Sequence, residues 1–190
     1  MTELTDFSKL CIHTQTTKPW SIEECIGFFS KSGVRGISIW RHLLEGKDLK
    51  QIKTLLEINQ MEAVSLVRGG FFPSVESHQR ELALKDNRLA IDQAAALGAP
   101  MVVLVCGADP RQDLEVSRRQ IHDGINQLIP YANDMGVKLA IEPLHPMYAG
   151  DKSALVSLEQ ANDMCESIAS PIVGVAIDVY HLWWDNNLKN

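Results

Sequence analysis

The sequence contains no hydrophobic run that approaches the roughly 20 residues needed to span a bilayer. Its first ten residues, MTELTDFSKL, also contain no apolar segment of signal-peptide length. These two absences predict a cytoplasmic protein with no membrane partner.

Positive charge is scarce relative to negative charge. The chain has 18 Lys and Arg residues against 24 Asp and Glu residues, which gives a formal net charge of -6. Nucleic-acid-binding proteins usually present a basic face, so this balance predicts that the chain binds no nucleic acid. The net charge does not exclude a small anionic substrate, because one local Arg or Lys is enough to bind such a ligand.

Cysteine is also sparse, and its spacing matches no zinc motif. The four cysteines (Cys11, Cys25, Cys106 and Cys165) are scattered, so we expect reduced thiols in the cytoplasm. A glycine-rich phosphate loop is missing as well, since CIHTQTTKPW, at the first predicted strand, matches neither G-x-G-x-x-G nor a P-loop.

Short apolar runs alternate with longer helical patterns along the chain. We predict six strands, in the segments 9–15, 33–40, 62–70, 101–107, 138–144 and 172–179. We predict five helices, 21–33, 48–60, 75–98, 113–136 and 157–169, the first with a capping box formed by Ser21 and Glu24. Nearly continuous apolar strands that alternate with helices are typical of parallel strands buried on both faces.

An open doubly wound sheet and a (β/α)8 barrel both fit this alternation. Polar and ionisable residues gather where the predicted strands end, and in a barrel those ends share the face on which catalytic sites lie. A barrel needs eight strands and roughly 250 residues, whereas this sequence supplies six strands. We therefore predict an α/β protein, an incomplete (β/α)8 TIM barrel with about six βα units. It would be a single domain over residues 1–190 that lacks the last two strands.

Two carboxylates lie at the ends of neighbouring predicted strands. Glu142, in LAIEPLHP, precedes Pro143, which favours an extended backbone at the residue before it. Asp178, in VAIDVYH, ends the sixth predicted strand, and His181 follows three residues later. A helix cap or a surface ion pair explains either carboxylate taken alone.

Taken together, the two carboxylates indicate a cation site. At the mouths of adjacent parallel strands they converge, and they repel each other unless one is protonated or a cation bridges them. Oxygen ligands with an imidazole suit Mg²⁺ or Mn²⁺, with Co²⁺ and Zn²⁺ as further candidates.

The order of strands and the segments IEPLHPMYAGD and AIDVYHLWWD resemble the xylose-isomerase-like TIM barrel family, the sugar phosphate isomerase/epimerase group. The resemblance covers the whole chain. It implies one divalent metal held by a Glu after strand five, an Asp after strand six, a His after strand seven and a Glu after strand eight. Glu142 matches the first ligand and Asp178 the second, while the last two have no counterpart here.

The same resemblance implies two catalytic glutamates that act as an acid/base pair, of which only Glu142 is present. It matches His181 to a histidine that orients a substrate oxygen. Three further residues near predicted strand ends are candidates for substrate contact: Arg68, His145 and His13. Arg68 suits a hydroxyl, a carboxylate or a phosphate, and a surface ion pair explains it equally well.

The resemblance, with these residues, implies a metal-dependent isomerase or epimerase that moves a proton next to the carbonyl of a sugar, polyol or keto-sugar. The alternatives are a dehydratase or β-eliminating lyase acting on a keto-sugar or inosose, an apurinic-site endonuclease, and a non-catalytic subunit completed by a partner chain. The endonuclease fits less well, because its zinc site is rich in histidine and this chain has Arg68 at the third strand end.

The number of predicted strands has a consequence for the 190-residue chain itself. A six-stranded barrel wall leaves two unpaired strand edges, which favour aggregation or association into a homo-oligomer. We therefore expect a truncated chain that is inactive as the 190-residue fragment.

Overall fold

Six strands and six α-helices alternate in the computed structural model, which describes Phe7 and residues 9–189. The strands are β1 Cys11–His13, β2 Gly36–Trp40, β3 Glu62–Gly70, β4 Met101–Val105, β5 Lys138–Glu142 and β6 Val173–Val175. The helices are α1 Ile22–Lys31, α2 Leu49–Ile58, α3 Ser77–Leu97, α4 Leu114–Asp134, α5 Leu158–Ile168 and α6 Val179–Leu182. Short 3-10 helices occupy Thr14–Thr17, Arg41–Leu44, Pro146–Tyr148 and Asn186–Lys189.

All six strands form one parallel sheet in the order β1-β2-β3-β4-β5-β6. Sequential parallel neighbours joined by helices are the arrangement of a (β/α) barrel wall, so the predicted incomplete TIM barrel is confirmed. Because the strands are parallel, their carboxyl ends lie along one edge, and that edge carries the residues discussed below.

The core lies between the central strands and the helices. Ile37, Ile39, Leu66 and Leu104 have no exposed surface, and neither do the residues facing them from the helices, among them Ile26, Ile91, Ile121 and Ile125. Burying a large aliphatic side chain contributes about 1.5–3 kcal/mol. This core is therefore the main support for the positions of the strand ends.

Two helix boundaries follow the predicted signals. Ser21 caps α1, accepting a hydrogen bond from the backbone N–H of Glu24, while the Glu24 carboxylate accepts one from the N–H of Ser21. Gly98 ends α3 with φ of 74°, a left-handed conformation that favours glycine.

The outer strands differ from the prediction. β1 covers three residues instead of 9–15, because the chain turns into the 3-10 helix at Thr14. β6 ends at Val175 instead of continuing to 179, because Asp178 starts the unpredicted α6. Both strands are only partly buried, so the expectation of strands buried on both faces is wrong at the edges.

Two observations concern the ends of the chain. Asn186–Lys189 form a 3-10 helix that is not among the predicted helices. The expectation about a signal peptide concerns largely residues 1–6 and 8, which lie outside the described residues. Within the part that the structure describes, no helix is long and apolar enough to cross a membrane.

Candidate active site

A cavity of about 880 Å³ opens at the carboxyl ends of the strands. Its lining includes five of the residues singled out in the sequence, His13, Arg68, Glu142, Asp178 and His181. They come from β1, β3, β5 and α6 with its N-cap, so segments up to 168 residues apart in sequence meet in one volume (positions 13 and 181). This placement is the expected consequence of a parallel barrel wall.

Glu142 is the last residue of β5 and points into the cavity. Burial and, after it, the negative charge of Asp178 raise the pKa of its carboxyl to about 7, against the opposing effect of the Arg68 charge. A carboxyl that titrates near neutral pH can accept and release a proton under physiological conditions, as a general base must.

Asp178 both caps a helix and lines the cavity. Its side chain accepts a hydrogen bond of 2.8 Å from the backbone N–H of Tyr180 and caps α6. The same residue lines the cavity, where its charge raises the pKa of Glu142. The helix cap and the cavity position, which are alternatives in the sequence, therefore coexist in the structure.

His181 lies on α6 with Nε2 4.0 Å from Oδ2 of Asp178. Its Nδ1 accepts a hydrogen bond of 3.4 Å from the backbone N–H of His145, which leaves the Nε2 position to carry the proton of the neutral ring. Burial lowers the pKa of His181, and the charge of Asp178 opposes this effect. A neutral imidazole that presents Nε2–H is suited to donate to a substrate oxygen.

His145 lies behind His181 and outside the cavity lining. Its ring stacks on Trp183 with centroids 6.4 Å apart, and its Nδ1 accepts from the backbone N–H of Met147. The position of His145 supports His181 through the backbone, and direct substrate contact by His145 stays a prediction.

His13, at the end of β1, is held by the neighbouring strand. The indole N–H of Trp40 donates to its Nε2 at 2.8 Å, and the backbone N–H of Gln15 approaches its Nδ1 at 3.3 Å. Burial lowers the pKa of His13, and the charge of Asp178 partly opposes this. His13 therefore contributes a neutral ring to the cavity.

Arg68 lies between two aromatic rings. Its guanidinium carbon is 4.4 Å from the ring centroid of Phe71 and 5.6 Å from that of Trp40. Burial lowers its pKa, and the charge of Glu142 opposes that effect. The surface ion pair that the sequence also allowed is not formed with any residue that the structure describes.

Three further cavity residues were not singled out in the sequence: Lys18, Tyr148 and Lys152. The Lys152 ammonium is 4.3 Å from the ring centroid of Tyr148. Each of these residues lies in a connection that follows a strand end, but this position alone only weakly predicts that a residue lines the cavity. The loop conformations decide which polar residues of such a connection reach the cavity.

The cavity offers two carboxylates as ligands for a divalent cation. Glu142 and Asp178 both border the cavity and repel each other, so they fit as two oxygen ligands of a hard cation. No group of three or more metal-ligating side chains is assembled among Phe7 and residues 9–189. These residues therefore supply at most part of a coordination shell.

Solved structures show the same fold. The chain matches a protein from Sinorhizobium meliloti 1021 with 40% identity and a TM-score of 0.91, covering 96% of this chain and 67% of that one. It matches the IOLI protein with a binding zinc atom (20% identity, TM-score 0.79, 90% of this chain and 63% of that one). It also matches D-psicose 3-epimerase in the presence of D-fructose (17% identity, TM-score 0.78, 90% and 63%).

The chain spans about two thirds of the length of these structures, between 63% and 67%. No curated protein matches its sequence. The family model described as xylose isomerase-like TIM barrel matches residues 26–189, which include β2 to β6 and most of the cavity residues. Given that match and the parallel six-stranded wall, the chain belongs to the xylose isomerase-like TIM barrel family.

Proposed function

We propose that this cavity is the site of an isomerase or epimerase that moves a proton on the carbon next to the carbonyl of a sugar, polyol or keto-sugar. The observation that carries the proposal is Glu142, a partly buried carboxyl at the end of β5 whose pKa is raised to about 7. The likeness to D-psicose 3-epimerase supports this reaction class through the shared fold.

The reaction assigns a role to each residue. Glu142 removes the proton from the carbon next to the carbonyl, and the electron pair moves to the carbonyl oxygen. The neutral His181 donates from Nε2–H to a substrate oxygen and holds the carbon near Glu142. His13, in contrast, lines the cavity with both ring nitrogens approached by Trp40 and Gln15. Return of the proton to the former carbonyl carbon, with transfer of the adjacent hydroxyl proton to the former carbonyl oxygen, gives an isomer. Protonation of the original carbon on its opposite face by a second acid, such as water, gives an epimer and leaves the first proton on Glu142.

Glu142 and Asp178 would hold a divalent cation on the side of the cavity where their charges meet. When bound, such a cation supplies a Lewis acid that withdraws electron density from the substrate carbonyl. We propose Mn²⁺, Mg²⁺ or Co²⁺, with Zn²⁺ as a further candidate because the IOLI structure contains zinc. The remaining ligands would come from substrate, water or residues beyond those described.

The test follows exchange of the carbon-bound proton. The protein is incubated with D-fructose and Mn²⁺ in D₂O, and loss of the proton signal next to the carbonyl is followed by NMR. Glu142→Gln keeps the shape of the side chain but removes its basicity. We expect the exchange rate to fall by about 10²–10⁴-fold, the usual contribution of a general base.

Glu81→Gln is the matched control, because Glu81 is exposed on α3 and lies outside the cavity. The Glu81→Gln variant should exchange the carbon-bound proton at the same rate as the unaltered protein. The rates are compared in a longer protein that contains the chain, since the chain spans about two thirds of the matched structures. For the 190-residue chain alone we propose little or no exchange. Full exchange by a folded Glu142→Gln variant would reject the assignment.

Dehydration of a keto-sugar or inosose begins with the same proton removal, so Glu142 serves that reaction equally well. The two outcomes differ in the product, since elimination releases water and leaves an unsaturated compound. Product analysis by mass spectrometry separates them, because dehydration lowers the mass and isomerisation does not.

A further inference from the structure

Cationic side chains gather at the cavity although the chain as a whole has a net charge of -6. Lys18, Arg68 and Lys152 all border it. None of the three forms an ion pair within the part of the chain that the structure describes. The carboxylates of Glu142 and Asp178 border the same cavity, so three cations face at most two negative charges, and this balance favours an anionic ligand.

Arg68 is held in a way that leaves its donors free. The rings of Phe71 and Trp40 lie 4.4 Å and 5.6 Å from its guanidinium carbon and support the cation without accepting its N–H groups. A guanidinium has five N–H donors in a planar fork that matches the oxygens of a phosphate or a carboxylate. The arrangement is therefore a positioned anion receptor.

A role as counter-ion to Glu142 explains Arg68 less well. The two side chains do not form an ion pair within 4.0 Å. The charge of Arg68 is left available for a group that enters the cavity.

We propose that the substrate of this site is a sugar that carries an anionic group, a phosphate or a carboxylate, and that Arg68 binds that group with help from Lys18 and Lys152. This inference rests on the proposed function, because it concerns the substrate of the same cavity. It adds the charge of the substrate and the residue that selects it.

The test is equilibrium binding by calorimetry, with no turnover required. Three related probes are titrated into the protein: D-fructose, D-fructose 6-phosphate and D-fructuronate. We expect at least one anionic probe to bind about tenfold or more tightly than D-fructose, in line with hydrogen bonds to charged groups. The anionic probe that binds more tightly indicates whether the substrate carries a phosphate or a carboxylate. Added salt should reduce the preference, because it screens charges at the open cavity.

Arg68→Met removes the charge and keeps an unbranched apolar stem between the two rings. We expect this variant to lose most of the preference for the anionic probe. Arg119→Met is the matched control, since Arg119 is an exposed arginine of α4 outside the cavity, and it should keep the preference. Circular dichroism verifies that both variants are folded, and Arg68→Lys should restore part of the preference.

Equal affinity for the neutral and anionic probes, no binding of either anionic probe, or a preference that survives in folded Arg68→Met would each overturn the inference. The result is separable from that of the proposed function. Unaltered exchange in Glu142→Gln would reject the isomerase assignment while the anion preference stands, and a missing preference would leave the exchange result intact.

Discussion

Glu142 carries a conflict between function and stability. As a base it must be ionised, but burial and the charge of Asp178 raise its pKa to about 7. An unperturbed Glu titrates near about 4.3. Ionisation above neutral pH therefore places an unfavourable charge in the folded protein, and the cavity is a local weak point of the fold.

The sign of this effect makes a pH-dependent prediction. Below about pH 4.3 the group is protonated in both the folded and the unfolded state, so its favourable contribution is fully present. As pH rises towards the folded-state pKa of about 7, the unfolded state ionises first and this contribution is lost. We expect Glu142→Gln to gain roughly 2–3 kcal/mol in unfolding free energy on going from pH 4.5 to pH 8, relative to the unaltered chain.

Urea denaturation followed by circular dichroism, in EDTA to remove bound cations, measures this difference at the two pH values. Glu81→Gln is again the control and should track the unaltered chain at both. A stability difference for Glu142→Gln that does not change with pH would contradict the raised pKa of Glu142.

Trp40 contacts two cavity residues, His13 and Arg68. Its indole N–H donates to Nε2 of His13, and its ring lies under the guanidinium of Arg68. A neutral imidazole has only one acceptor nitrogen. The shorter bond from Trp40 therefore places the proton of His13 on Nδ1, which leaves the approach of the Gln15 N–H at 3.3 Å as the weaker contact.

At the scale of elements, the junction between α3 and the end of β3 depends on one buried amide. Asn87 is 1% exposed, accepts from the backbone N–H of Gly70 at 2.7 Å and donates to its carbonyl at 2.8 Å. Gly70 has φ of 105°, and a Cβ atom there would lie 2.0 Å from the carbonyl oxygen of Val105. The amide of Asn87 and the lack of a side chain at Gly70 therefore fix the backbone segment that follows Arg68.

Asn87→Ala should destabilise the chain by about 2–4 kcal/mol, because it leaves two buried backbone groups of Gly70 without their partner. Chemical denaturation measures the loss. The control is Asn162→Ala on the exposed face of α5, for which we expect a change within about 0.5 kcal/mol. A change equally small for Asn87→Ala would show that water satisfies both groups.

On the scale of the whole molecule, apolar side chains collect beside the carboxyl ends of β5 and β6. Five of them are between 60% and 72% exposed, namely Met147, Ile177, Val179, Tyr180 and Trp183. Together they form the β6-side apolar surface. Nearby, β6 pairs only with β5 among the described strands. Apolar patches and free strand edges of this kind favour association.

We predict that the 190-residue chain self-associates through the β6-side apolar surface. Sedimentation velocity across a concentration series should show a shift to larger species, and Trp183→Ser should reduce that shift. Ile58→Ser is the control, since Ile58 is 74% exposed at the end of α2, away from this surface. An unaltered monomer at all concentrations would contradict the prediction.

Much of the fold was predictable from local pattern. The alternation of apolar runs and amphipathic helices indicated a parallel α/β wall, and β3 was predicted with its observed bounds, Glu62–Gly70. The central strands were the most predictable, because burial on both faces leaves a continuous apolar signal. The edge strands β1 and β6 were overestimated, since turns that depend on tertiary contacts shorten them.

The sequence alone determined the class of fold and the residue types at the strand ends, because hydrophobic period and chain order are local properties. It placed Glu142 and Asp178 at neighbouring strand ends, but a cap and a cavity position were equally compatible with Asp178. Only the tertiary structure decided that Lys152 reaches the cavity, that His145 stays behind His181 and that Arg68 rests on Phe71 and Trp40. Those outcomes depend on loop conformation and on contacts between residues distant in sequence, which no local pattern encodes.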